Sequence, residues 1–446
     1  MKSPRSRAVL ALPTSRHVAA VLFGAALLHL PGTARADGDG GLQAQVDELL
    51  KKVDALEQRP AAANAGPATP AASNGKLLPG WFRVPGSNTS VRLGGYVKLD
   101  AIFSDRSAGV GSTGDLEYEA GSVPVGPAAG ANERNQTKLH ARQSRLFVQT
   151  STPSSWGDVA TSLEFDLFGA SGNESVSNSH GLRLRHAFGT LGHLLAGQTW
   201  TTASDPATYP ETVDFGGPAG VVFARQAQVR WTEPFSGGQW SIALENPETV
   251  LALPSGEMFR ADDDRSPDLA GNVQFAMGRA KYSIAALARQ LRVDSASAPA
   301  SRDQRWGGAI GVNGLVPIGN ADDVRFSAYY GNAIGRYAIG FFPDAVLDAN
   351  SRLVLPRQWL AMAALRHFWT AGLRSTLALS ALQSGNPGGA AAGSVNRSAA
   401  SAHLNLIWSP TPQTNLGLEV LHASRTVQDG QSGRLNRLQA SAQFLF

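Results

Sequence analysis

From Val91 to the last residue, Phe446, the chain repeats one pattern: segments of about ten residues in which apolar and polar side chains alternate, joined by connections that are alternately short and long. In 91–103, VRLGGYVKLDAIF, the residues Val91, Leu93, Val97, Leu99, Ala101 and Phe103 fall on one side and Arg92, Lys98 and Asp100 on the other. In 324–330, VRFSAYY, Val324, Phe326, Ala328 and Tyr330 alternate with Arg325, Ser327 and Tyr329. The last stretch, RLNRLQASAQFLF, sets Leu438, Ala440, Ala442, Phe444 and Phe446 against Arg437, Gln439, Ser441 and Gln443. Each strand therefore faces two different solvents.

A water-soluble sandwich also alternates, and the connections separate the two folds. Long connections at 104–136, 169–180, 202–220, 248–267, 292–303, 332–356, 384–395 and 426–433 are interleaved with short ones such as GTLG at 189–192 and WTAG at 369–372. An up-and-down barrel in an outer membrane has this rhythm, with short turns at one end and long loops at the other. The expectation is an all-β transmembrane barrel of about sixteen antiparallel strands, its termini on one side and its last strand closing against its first, so that no edge meets lipid. A final Phe446 also resembles the signal that barrel-assembly machinery reads. Trp231, Trp306, Trp359, Trp369, Trp408 and Tyr282, near strand ends, are expected at the lipid–water interfaces.

The N-terminal residues read differently. Lys2, Arg5, Arg7 and Arg16 precede an apolar run from Val18 to Leu30 and the small-x-small triplet Ala34-Arg35-Ala36, the form of a secretory signal over 1–36. That segment holds five of the basic residues and no acidic one, so the formal charge of +4 becomes 4 − 5 = −1 for the remainder. A nucleic-acid partner has no support in that balance. In 37–59, Leu42, Val46, Leu49, Val53 and Leu56 form a heptad seam, read as a short coiled-coil helix, a trimerising or dimerising periplasmic stalk; an amphipathic helix lying on its own barrel is the alternative. Residues 60–80 have linker composition, leaving 81–446 as the barrel. With no Cys, no G-x-S-x-G, H-E-x-x-H or P-loop pattern, and His scattered without ligand spacing, neither catalysis nor a metal or cofactor is implied.

In so wide a barrel the polar alternates line a water-filled lumen. The inward set contains Arg92, Lys98, Arg145, Arg183, Arg185, Arg230, Lys281, Arg289, Arg325, Arg374 and Arg437, against the fewer acids Asp100, Glu164, Asp166, Glu245 and Glu419. A basic wall favours anions, although some arginines are expected to pair with wall acids. Gln198 and Trp200 are expected near the constriction, with Arg145, Arg183, Arg185 and Arg230 as the principal basic ladder. Two readings are open for 202–220, TASDPATYPETVDFGGPAG: a surface loop, or a constriction folded into the pore with Asp205, Glu211 and Asp214 facing the arginines. Asp262-Asp263-Asp264 reads as a solvated run or a divalent-cation site alongside lipopolysaccharide. Arg142 and Arg145, three apart, cannot both point inward on a regular strand, so a bulge is expected between them or one lies at a strand end. The parity of 357–369 is ambiguous.

The stretches VRLGGYVKLDAIFSD, ARQSRLFVQT, LRLRHAFGTLGHLLAGQTWTTASDP and the terminal QFLF, with the stalk and linker, resemble the DcaP-like family of trimeric outer-membrane porins from about Gly41 to Phe446. LRLRHAFGTLGHLLAGQTW is the most specific part. The resemblance implies a homotrimer in outer-membrane lipid, a periplasmic coiled-coil extension, and passive diffusion of small organic anions such as dicarboxylates. A general or sugar-type porin and an envelope tether reaching the cell wall through the stalk are the alternative readings. A rim enzyme is a third, with little in the sequence to support it.

Overall fold

A computed structural model describes residues 72–73, 76–109, 113–131, 133–169, 172–295 and 300–446. The expected signal segment, the heptad stalk and most of the linker lie outside the described residues. Within the linker, Ala72–Ser73 pairs with Lys76–Leu77, and Trp81–Arg83 then adds to the start of the first long strand.

Sixteen antiparallel strands close into one barrel. In chain order they are β1 (Ser90–Ser104), β2 (Gln136–His140 continued by Arg145–Thr152), β3 (Val159–Asp166), β4 (Arg183–Leu191), β5 (Leu194–Trp200), β6 (Arg225–Phe235), β7 (Gly238–Glu245) and β8 (Asp268–Met277). The second half is β9 (Ala280–Ser295), β10 (Ser301–Ile318), β11 (Asp322–Gly331), β12 (Gln358–Thr370), β13 (Leu373–Ser384), β14 (Asn396–Thr411), β15 (Thr414–Val427) and β16 (Ser432–Leu445). Each pairs with its neighbours in sequence, and β16 returns to β1 with Ala440 opposite Ala101 and Phe444 opposite Val97. Phe446 completes the seam: its N–H donates to Gly95 O at 3.1 Å and its carbonyl accepts from Gly95 N at 3.2 Å. No strand of the barrel is left with an open edge, as a hydrocarbon surround requires.

The outward face is apolar. Leu93 is 54 % exposed, Leu99 49 % and Ile310 67 %, while their sequence neighbours Arg92, Lys98 and Ala309 turn inward. Such a surface belongs in lipid. Trp231, Trp369 and Trp408 are exposed toward the turn end, and Trp306 and Trp359 toward the loop end. Tight turns such as 192–193 and 278–279 need a positive φ, which Gly192 (57°) and Gly278 (61°) supply.

Two register questions resolve. His140 pairs with Asp100 and Arg145 with Tyr96, so β2 takes five steps where β1 takes four. The extra residue is a bulge, filled by Ser144, whose Oγ accepts from Lys98 N at 3.0 Å. Arg142 and Arg145 are consequently both buried on the inner side. In β12, Leu360, Met362 and Ala364 point inward and Trp359 and Leu365 outward.

The described residues of L1 (105–135), together with L3 (201–224) and L6 (332–357), fold into the barrel. Tyr118 of L1, Val222 of L3 and Ile334, Tyr337 and Phe342 of L6 form one apolar cluster with the inward Leu360 and Leu421. At the loop end, Val250–Ala252, Met258–Arg260, Ala345–Leu347 and Leu353–Val354 build a separate four-stranded sheet.

Candidate functional site: the lumen constriction

L3 leaves β5 at Trp200 and turns into the lumen because Glu245 of β7 catches its first residues: Thr201 Oγ1 and Thr202 N donate to that carboxylate at 2.7 and 2.6 Å. Asp205 then caps a short 3-10 turn, accepting from Ala207 N at 3.2 Å. From there successive wall strands each hold the loop. Arg325 of β11 donates to Tyr209 O at 2.7 Å. Arg374 of β13 grips Glu211 with both prongs, at 2.7 and 2.6 Å. Glu419 of β15 accepts from Val213 N at 2.7 Å and Asp214 N at 3.2 Å. Lys98 of β1 donates to Val213 O at 2.8 Å, and Arg437 of β16 pairs with Asp214 at 3.0 Å. L3 thus follows the inner wall past β11, β13, β15, β16 and β1. Gly216 makes the return possible, since a Cβ there would lie 1.9 Å from Tyr118 O.

The tip of L3 reaches a second wall, on β2, β3 and β4. Arg183 binds Asp166 with two prongs at 2.9 and 2.8 Å. Arg185 bridges Glu164 at 2.6 Å and Asp166 at 3.0 Å, and Arg145 lies 3.4 Å from Glu164. The ring of Phe215 sits below all three guanidinium groups, at 5.8 Å from Arg145, 5.5 Å from Arg183 and 5.2 Å from Arg185. Arg185 escapes strict alternation through a bulge between Leu184 and His186.

The expected site residues therefore separate by role. Arg145 and Arg185 are nearly fully buried and paired, whereas the Arg183 side chain keeps 29 % of its surface exposed. Arg289 does not line water: it is fully buried, pairing with Asp268 at 3.0 Å and with Asp344 of L6, and donating to Glu248 O at 2.8 Å. Arg92 lies over Phe147 at 5.3 Å. Arg230 donates to Gln228 Oε1 at 2.9 Å and Trp200 O at 2.6 Å. Among the described residues neither Arg92 nor Arg230 pairs with a carboxylate. Gln198, expected at the constriction, shares its side of β5 with exposed Leu194 and Ala196, and its amide donates to Leu184 O at 3.3 Å. Trp200 is buried at the root of L3, with its ring 4.7 Å from that of Phe223 and 5.8 Å from that of Tyr209.

Charges in the loops respond to this setting. Burial pushes the Glu117 carboxyl of L1 up to about 7, against the pull of Arg183 at 3.9 Å. Burial also favours protonated Glu211, but the Arg374 hydrogen bonds and the charges of Arg374, Arg366 and Arg325 outweigh it and hold this carboxyl below its usual range. The acidic run at 262–264 is used locally: Asp264 accepts from Thr249 N at 2.9 Å and the Asp263 carbonyl accepts from Arg292. Among the described residues no cluster of His, Asp and Glu could hold a metal ion.

Sequence reasoning missed Asp268 and Asp323, each at the start of a strand, and Arg225, Arg366 and the in-folding of L1 and L6. The signal for L6 was present in AIGRYAIGFFPDAV, whose Ile334, Tyr337, Phe341 and Phe342 are too apolar for a water-exposed loop.

A family model, DcaP outer membrane protein, matches residues 41–446. Among solved structures, the outer membrane channel DcaP of Acinetobacter baumannii superposes with a TM-score of 0.70 at 22% identity, over 82% of this chain and 99% of that one. An anion-selective porin from Comamonas acidovorans matches with a TM-score of 0.52 at 12% identity, over 80% of this chain and 100% of that one. The trimer form of OmpT of Vibrio cholerae matches with a TM-score of 0.50 at 11% identity, over 81% and 100%. No curated protein matches the chain.

Proposed function

Because the chain belongs to the DcaP outer membrane protein family and closes as an outer-membrane channel barrel, we propose that it is a trimeric diffusion porin preferring small organic anions, dicarboxylates in particular. The observation that carries this reading is the remainder left after pairing. The constriction's described carboxylates are engaged by arginine, lysine, histidine or hydrogen-bond donors, while Arg92 and Arg230 keep no carboxylate partner among the described residues. Guanidinium groups with no carboxylate partner raise the local concentration of anions and repel cations.

The paired cations serve the same function indirectly by holding L3 across the lumen, which narrows the path and brings a solute close to the remaining charges. The heptad seam at 42–56 supports a trimer with a periplasmic stalk. Liposome swelling tests the solute preference: succinate should enter faster than a neutral sugar of similar size. Equal rates would favour the general or sugar-type reading.

A further inference from the structure

The wall formed by β2, β3, β4 and β6 holds more guanidinium than it can neutralise. Arg145, Arg183 and Arg185 share Glu164 and Asp166, with Glu117 of L1 beyond them. Arg225, the first residue of β6, has a different environment. Its guanidinium lies 5.2 Å from the ring of Trp200 and 5.3 Å from that of Phe223, and its Nη1 is buried with no acceptor. Arg185, Arg183 and Arg145 are near enough to repel it, and the charge of Asp166 offsets part of that repulsion. A charged donor buried without an acceptor is costly, and no carboxylate among the described residues accepts from this Nη1.

We propose that Arg225 is the docking point for a carboxylate of the permeating anion, held in a fixed plane by Trp200 and Phe223. This rests on the anion-preferring reading above and names the residue that selects the solute. The rings fix the guanidinium plane, so the fork meets a planar carboxylate without first losing the rotational freedom of a loose arginine. Arg183, with part of its side chain exposed, adds attraction from the neighbouring wall, while Phe215 screens Arg145 and Arg185 beneath it. Arg225 therefore combines unused hydrogen-bonding capacity with like-charged neighbours, the arrangement most improved by an arriving anion. If the residue contributed charge alone, a lysine with the same charge and a similar stem would bind solute equally well.

The test is the interruption of single-channel KCl current by succinate in planar bilayers, with the gel mobility of unheated samples reporting that each variant is folded. Wild type should show concentration-dependent interruptions. Arg225→Gln should need about tenfold more succinate, the loss expected for one charge-assisted contact. Arg225→Lys should also bind more weakly than wild type, because it keeps the charge and loses the planar fork. An Arg225→Gln channel with wild-type succinate response, in a protein that still prefers anions, would overturn this assignment alone. Full retention in Arg225→Lys would also overturn it, since charge without the fork would suffice. A wild type that neither prefers anions nor responds to succinate would overturn both the assignment and the functional reading beneath it.

Discussion

The wall from β11 to β16 and the wall from β2 to β6 are both rich in arginine, yet they use it differently. On the first, Arg325, Arg374 and Arg437 each end on a specific atom of L3, namely Tyr209 O, Glu211 and Asp214. On the second, Arg145, Arg183 and Arg185 pair with Glu164 and Asp166 of the wall itself, and Arg230 and Arg225 meet carbonyls, amides and rings with no carboxylate partner among the described residues. Residue type therefore says little about whether a lumen cation acts on solute. What decides is whether a carboxylate has already neutralised it, as Asp323, Glu211 and Asp214 do for Arg325, Arg374 and Arg437, because a paired, buried guanidinium has little charge left to offer water.

The largest effect that separates the roles should come from Arg289→Met. Removing this fully buried cation leaves Asp268 and Asp344 facing each other, a loss of about 3–5 kcal/mol for breaking a buried pair. Thermal unfolding followed by gel mobility should show a large drop, whereas Arg92→Gln, beside Phe147, should leave the midpoint nearly unchanged. Equal drops would mean that Arg289 is not a loop anchor. Next in size is Glu211→Gln, which weakens the two-pronged grip of Arg374 by about 1.5–3 kcal/mol. Open-channel current noise should rise as L3 loosens, and quiet traces would show that the other contacts of L3 suffice to fix it.

The smallest effect is on pH response. Glu117 faces Arg183 of β4 and Asp166 of β3, Arg142 lies in the β2 bulge, Asp214 is in L3, and Glu119 is on its own loop. Because its folded value of about 7 lies above the ordinary 4.5, the folded channel binds an extra proton between those two values. Its contribution therefore favours folding at acidic pH and is lost as pH rises through about 7. Over the same window, protonation removes a negative charge near Arg183, so anion preference should increase modestly from pH 8 to pH 6. Glu117→Gln should flatten that change, and an unchanged slope would assign it to another group.

Much of the fold was legible in the sequence because lipid and lumen impose a strict period of two on every strand. The strand positions and the inward parity of Arg92, Lys98, Arg230, Arg325, Arg374 and Arg437 follow from that alternation. The β2 bulge was legible as a conflict between Arg142 and Arg145, although not its position. Gln198 lies on the side of β5 that carries Leu194 and Ala196, away from the lumen, although the following Trp200 on the same parity is buried at the root of L3. Pairings such as Glu211 with Arg374 connect residues far apart in the chain, where periodicity carries no information. Thus the wall could be read residue by residue, while the division of its arginines between loop and solute required the folded loops.

The most direct test of that division is the reversal potential under a KCl gradient for wild type, for Arg92→Gln/Arg230→Gln, and for Arg325→Gln/Arg374→Gln. Wild type should prefer chloride. The first pair should lose most of that preference with little change in conductance, and the second should keep the preference while its current becomes larger and noisier. If the second pair abolishes selectivity and the first leaves it intact, the paired arginines act on solute and the division drawn between paired and unpaired arginines is wrong.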